Sequence, residues 1–224
     1  MSLKLVGSCA PFLAAWVWVT LPPQPLAAQY APASAGRQHA AGWENDRIRV
    51  RTVSVEPGAR LAAPEGGADR VLVFLTGDLD GRMPAAEAVW QPAGGPEPEN
   101  RGRVRVDAIV VDVKPGTGGA ASETPVEALS SYDRSSARLL IDNARVKVMK
   151  LQYRPYPFTL DTPHAHPQDT LVVYLSGGLT WPLGDYEYPT RVHRGELGVI
   201  PAHTPHSFRN VGGDNLEFLM ILAK

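Results

Sequence analysis

Five of the six histidines lie between residues 164 and 206. Two of them form an H-x-H pair in Thr162-Pro163-His164-Ala165-His166-Pro167. In an extended strand residues two apart project from one face, so both imidazoles can meet one ion. His206 stands near the start of a further apolar run. Three imidazoles from two strands can cap one face of a divalent metal and leave positions for water, oxygen or substrate. Taken alone, an H-x-H pair more often merely decorates a solvent face.

Other metal ligands are few. The single cysteine, Cys9, falls inside a leader-like amino terminus. Met1 to Ala28 carries one cation, Lys4, no acidic residue, an apolar stretch through Trp16-Val17-Trp18-Val19 to Leu21, and a small-residue exit at Ala27-Ala28. This is the pattern of a secretory signal peptide over 1–28, with Pro11 and Pro22 arguing against a retained anchor. Cleavage there removes Lys4 and Cys9 and takes the net charge from −1 to −2. The exported chain then has no thiolate or disulfide, and a metal site must use histidine, carboxylate or neutral oxygen.

The elements that must position these groups are short strands. Gly and Pro number 21 each in 224 residues, and they punctuate β-branched and aromatic runs at Ile48 to Val55, Val71 to Leu75, Val104 to Val113, Arg145 to Tyr153, Leu171 to Leu175 and Phe218 to Leu222. Such spacing predicts an all-β sandwich or barrel. One short helix is expected at Thr124 to Leu129, with threonine as N-cap, Pro125 at N1 and Glu127 at N3. The balance of 22 basic against 23 acidic residues, with no long run of one sign, gives no nucleic-acid footprint.

The strands repeat. Arg47-Ile48-Arg49-Val50 matches Arg145-Val146-Lys147-Val148 at an offset of 98. Val71 to Gly77 matches Leu171 to Gly177 at 100, and Pro92 to Glu97 matches Pro201 to His206 at 109. Two copies of one β module follow.

At the histidines the second copy resembles the cupin superfamily. The family's second motif, G-x5-P-x-G-x2-H-x3-N, is met by Gly195, Pro201, His206 and Asn210, with His203 at the inner glycine. Its first motif, G-x5-H-x-H-x3-4-E-x6-G, keeps His164, His166 and Gly177, but places Phe158 at the opening glycine and Thr170 at the glutamate. The resemblance implies two tandem double-stranded β-helix (jelly-roll) barrels preceded by the signal peptide. The segments expected are a flexible stretch 29–42, a degenerate barrel 43–114, a linker 115–136 with the short helix, and a metal-binding barrel 137–224. His164, His166 and His206 become the implied ligands. Without the glutamate the site is a neutral three-histidine set, as in some cupin dioxygenases; Gln168 or Asp169 could add an oxygen if the loop bends inward.

In the first copy Pro64-Glu65-Gly66-Gly67 stands where the H-x-H pair should be, Arg70 aligns with Thr170, and Glu97 replaces His206. A guanidinium repels a cation, so this copy is expected to be structural, with an anion at Arg70 as a lesser alternative. His203 is expected at the rim, His193 in an exposed turn and His39 in the flexible stretch. Tyr153 and Tyr174 have the parity to face a barrel interior, as core packing or as proton donors. Trp181, Tyr186 and Tyr188 could line an entrance.

The expected function is an exported, metal-dependent, dioxygenase-like oxidoreductase acting on a small organic molecule, secreted or periplasmic. Iron is favoured, with manganese, nickel, zinc or copper open. Tyr174 and Tyr153 are the catalytic candidates. A non-catalytic module holding a metal, sugar or organic acid is the alternative, and a purely structural protein a third. The mature chain is expected as monomer or homodimer, free of nucleic acid and membrane.

Overall fold

The structure, a computed structural model, describes residues 42–77, 79, 87–116, 136–156, 164–183 and 188–224. The leader, most of the segment 29–42, the helix expected at 124–129, Phe158 and Tyr186 lie outside these residues. Within them the fold is all-β, with a single 3-10 turn at Glu65–Gly67.

The strands are β1 (Gly42–Glu44), β2 (Ile48–Val55), β3 (Asp69–Phe74), β4 (Ala88–Gln91), β5 (Val106–Val113), β6 (Ser136–Asp142), β7 (Val146–Tyr153), β8 (Thr170–Tyr174), β9 (Gly178–Leu183), β10 (Thr190–Val192), β11 (Leu197–Ile200), β12 (Ser207–Asn210) and β13 (Leu216–Ala223). All six sequence-derived runs fall on strands. The shorter ones, such as β4 and β10–β12, lack an apolar pattern long enough to register. Two five-stranded antiparallel sheets have matching orders, β1-β2-β5-β3-β4 and β6-β7-β13-β8-β11, and β10-β9-β12 forms a third.

The internal repeat is visible in side-chain bonds. Asn45 Oδ1 accepts from Arg47 N and Ile48 N at 2.9 and 2.8 Å, and Asn143 Oδ1 from Arg145 N and Val146 N at 2.8 and 3.0 Å. Asn100 Nδ2 donates to the carbonyls of Val55 and Val104, both at 2.8 Å, and Asn210 Nδ2 to those of Tyr153 and Asp214 at 2.9 and 2.7 Å. Thr76 Oγ1 accepts from Asp107 N, and Ser176 Oγ from Glu217 N, each at 2.9 Å. Asn210, the last residue of the second motif, is thus a fastener of β12 to the end of β7.

Strand alternation sorts the side chains into two faces. Val71, Val73 and Leu75 of the first half meet Leu171, Val173, Leu175, Leu219 and Ile221 of the second in one buried cluster. The five-stranded sheets therefore share a central apolar core. The opposite face of the second sheet carries Met149, Leu151, Tyr153, Val172, Tyr174, Phe218 and Met220, which pack with Val192, Ile200 and Phe208. The corresponding face of the first sheet carries Leu72, Phe74, Ala108 and Val110. Gly195, which opens the second motif, has φ +82 and would bring a Cβ to 2.9 Å from Leu75 Cδ1 of the first half. The left-handed backbone favours glycine there, and any other residue would in addition displace the Leu75 methyl.

Candidate metal centre

His164 and His166 precede β8, and His206 immediately precedes β12. The two loops are joined through their backbones. His164 N donates to His206 O at 3.0 Å and His206 N to His164 O at 2.8 Å, an isolated antiparallel bridge. His203 N donates to His166 O at 2.7 Å. These bonds bring the three rings together, with centroids 5.0 Å (His164–His166), 4.4 Å (His164–His206) and 4.9 Å (His166–His206) apart. One ring nitrogen from each lies within 4.8 Å of the others.

The chemistry of these nitrogens suits a cation. His206 Nδ1 lies 2.9 Å from the Thr204 carbonyl; a carbonyl only accepts, so this nitrogen holds the proton and Nε2 presents its lone pair. His166 is 1% exposed. Burial, reinforced by facing His206 and then His164, pushes its pKa down to about 3. It is a neutral imidazole at ordinary pH, the protonation state that ligates metal.

No carboxylate joins the group among the described residues. Thr170 is fully buried, with its hydroxyl 3.4 Å from the Gln168 carbonyl. Asp169 does not supply the oxygen considered for it. Its Oδ1 accepts from Ala202 N at 2.8 Å and its Oδ2 from Asn45 Nδ2 at 2.9 Å, so both oxygens are engaged elsewhere and the group of three histidines does not include it. The donor set fits a divalent ion held by three neutral imidazoles.

The other candidates separate. Tyr153 and Tyr174 are buried on the interior face, each in ring contact with Phe218 at 5.1 and 6.2 Å. Phe208 lies 5.9 Å from the His206 ring and 6.5 Å from Phe218, so a series of ring contacts runs from the phenols through the phenylalanines to His206. His203 is exposed with φ 58, a left-handed backbone where the motif has glycine. His193 and Tyr188 are exposed, and Trp181 is half-buried on β9.

In the first half Arg70 occupies the position of Thr170. It is 1% exposed, donates Nη1 to the Ala62 carbonyl at 2.9 Å, and faces Asp112 on the adjacent strand. Asp112 also pairs with Arg51 at 3.2 Å. Burial lowers the pKa of Arg70 while Asp112 opposes that shift. The loop from Ala93 to Asn100 is one residue shorter than that from Ala202 to Asn210, and Glu97 is exposed.

Sequence reasoning missed Asn45 and the bracing role of Asp169. Asn-Asp before a strand signals a turn, but nothing local signals a contact across to the other half.

The sequence model of the family described as "Cupin domain" matches residues 157–222. No curated protein sequence matches the chain. Solved structures match at the level of fold. A cupin 2 conserved barrel domain protein from Leptotrichia buccalis has TM-score 0.53 and 18% identity, over 81% of this chain and 86% of the other. The oxalate decarboxylase formate complex of Lactobacillus farciminis has TM-score 0.56 and 13% identity, over 80% and 77%. A mutant of salicylate 1,2-dioxygenase from Pseudoaminobacter salicylatoxidans has TM-score 0.53 and 12% identity, over 81% and 75%.

Proposed function

We propose that this chain, which belongs to the cupin superfamily, is a bicupin whose carboxy-terminal barrel binds one divalent metal and serves as a dioxygenase-like oxidoreductase on a small organic molecule. The observation that carries the reading is the convergence of His164, His166 and His206, with ring nitrogens within 4.8 Å and no carboxylate joining them among the described residues. A neutral three-histidine set leaves the ion its full positive charge and open positions, and iron there would supply the binding and activation of oxygen. Solved relatives of this fold include a dioxygenase and a decarboxylase.

The residues of the chain have divided tasks in this reading. The His164–His206 bridge and the His203–His166 bond hold the ligands. The apolar face around Phe208, Phe218 and Met220 excludes water from the interior side. Tyr153 and Tyr174 are the phenols of that face and are assigned as proton donors to the substrate. The first barrel, with Arg70 in place of a ligand, is a scaffold. The leader at 1–28 assigns the protein to the periplasm or exterior.

Oxygen uptake tests this. Protein reconstituted with ferrous ion is screened with small aromatic and organic acids; uptake lost in His206→Ala supports the oxidoreductase. Metal binding without turnover of any candidate favours a binding module instead.

A further inference from the structure

We propose that Asn45, in the metal-free half, is a positioning residue for the histidine centre and acts through Asp169. This rests on the metal reading above. Asp169 sits between His166 and β8, and its Oδ1 accepts from Ala202 N at 2.8 Å. Ala202 opens the loop that ends at His206. One carboxylate therefore ties the segment bearing His164 and His166 to the segment bearing His206. Its other oxygen accepts from Asn45 Nδ2 at 2.9 Å, a charge-assisted bond. Asn45 is itself fixed, because its Oδ1 caps the turn into β2 through Arg47 N and Ile48 N. The first half thus holds the brace that sets the spacing of ligands it does not contain.

The repeat supplies an internal control. Asp69 stands where Asp169 does: its Oδ1 accepts from Ala93 N at 2.8 Å, and its Oδ2 pairs with Arg145 of the other half at 3.0 Å. Each half clamps the other's loop, but only one of the two loops carries histidines.

The test is Co2+ affinity of the full-length protein, read from visible absorption. Asn45→Ser is neutral and keeps an oxygen able to cap the turn, but it is too short to reach Asp169. It is expected to weaken Co2+ binding about tenfold, the scale of losing an outer-shell partner. Asp169→Asn should weaken it as well. The mirror variants Asp69→Asn and Asn143→Ser should bind within about twofold of wild type, since their bonds lie outside the ligand loops. Wild-type affinity in Asn45→Ser, or an equal loss in Asn143→Ser, overturns the positioning role while leaving the metal reading intact. A wild-type protein that takes up no Co2+ overturns both.

Discussion

The main chains of His164 and His206 bond to each other twice, at 3.0 and 2.8 Å, so two of the three histidines, far apart in sequence, are locked together by backbone alone. Side-chain removal leaves this bridge in place. His206→Ala is therefore expected to fold, with apo stability within about 1 kcal/mol of wild type. Its metal affinity should fall by more than the roughly 10–100-fold cost of losing an outer-shell partner. Isothermal titration with denaturant unfolding reads both quantities.

The buried imidazole of His166 gives the apo protein an acid weakness. Its pKa is about 3 when folded against an ordinary 6.5. Between these values the unfolded chain holds a proton that the folded chain does not. Stability should then fall as pH drops from about 6.5 toward 3, by up to about 1.4 kcal/mol per pH unit. Urea midpoints of the apo protein across that range should show the slope, and His166→Ala should flatten it.

His203 holds a left-handed backbone, φ 58, at a cost of about 1 kcal/mol for a residue with a Cβ. Its N–H, not its exposed ring, contacts the site. His203→Gly keeps that N–H, so it should raise stability by up to about 1 kcal/mol and leave metal affinity unchanged. Loss of metal binding in this variant would make the ring a ligand instead.

Much of this was legible in advance because the informative residues sit in patterned positions. Runs such as Leu171 to Leu175 alternate between the central core and the interior face, and the H-x-H spacing places two rings together. Arg70, whose guanidinium would repel a cation, stands buried opposite Asp112 at the position that aligns with Thr170. What could not be read were contacts set by tertiary packing. Asn45 reaches Asp169 across the interface between halves, and the shared core makes each sheet bury both faces. The ring contacts of Phe208 with His206 and Phe218 depend likewise on how sheets stack, not on parity.

That shared core predicts one cooperative unit. Leu219 is fully buried in the cluster that contains residues of both halves. Leu219→Ala should cost about 2–5 kcal/mol and shift a single unfolding transition. Two separate transitions in calorimetry would show instead that the halves unfold independently.

The most direct measurement is metal content after anaerobic loading and desalting, by elemental analysis of wild type and His166→Ala. One ion per chain in wild type, and none in the variant, is the expected result: three convergent imidazoles in one half, Arg70 in the other. Less than about 0.1 ion per chain in wild type, or equal content in both proteins, would contradict it.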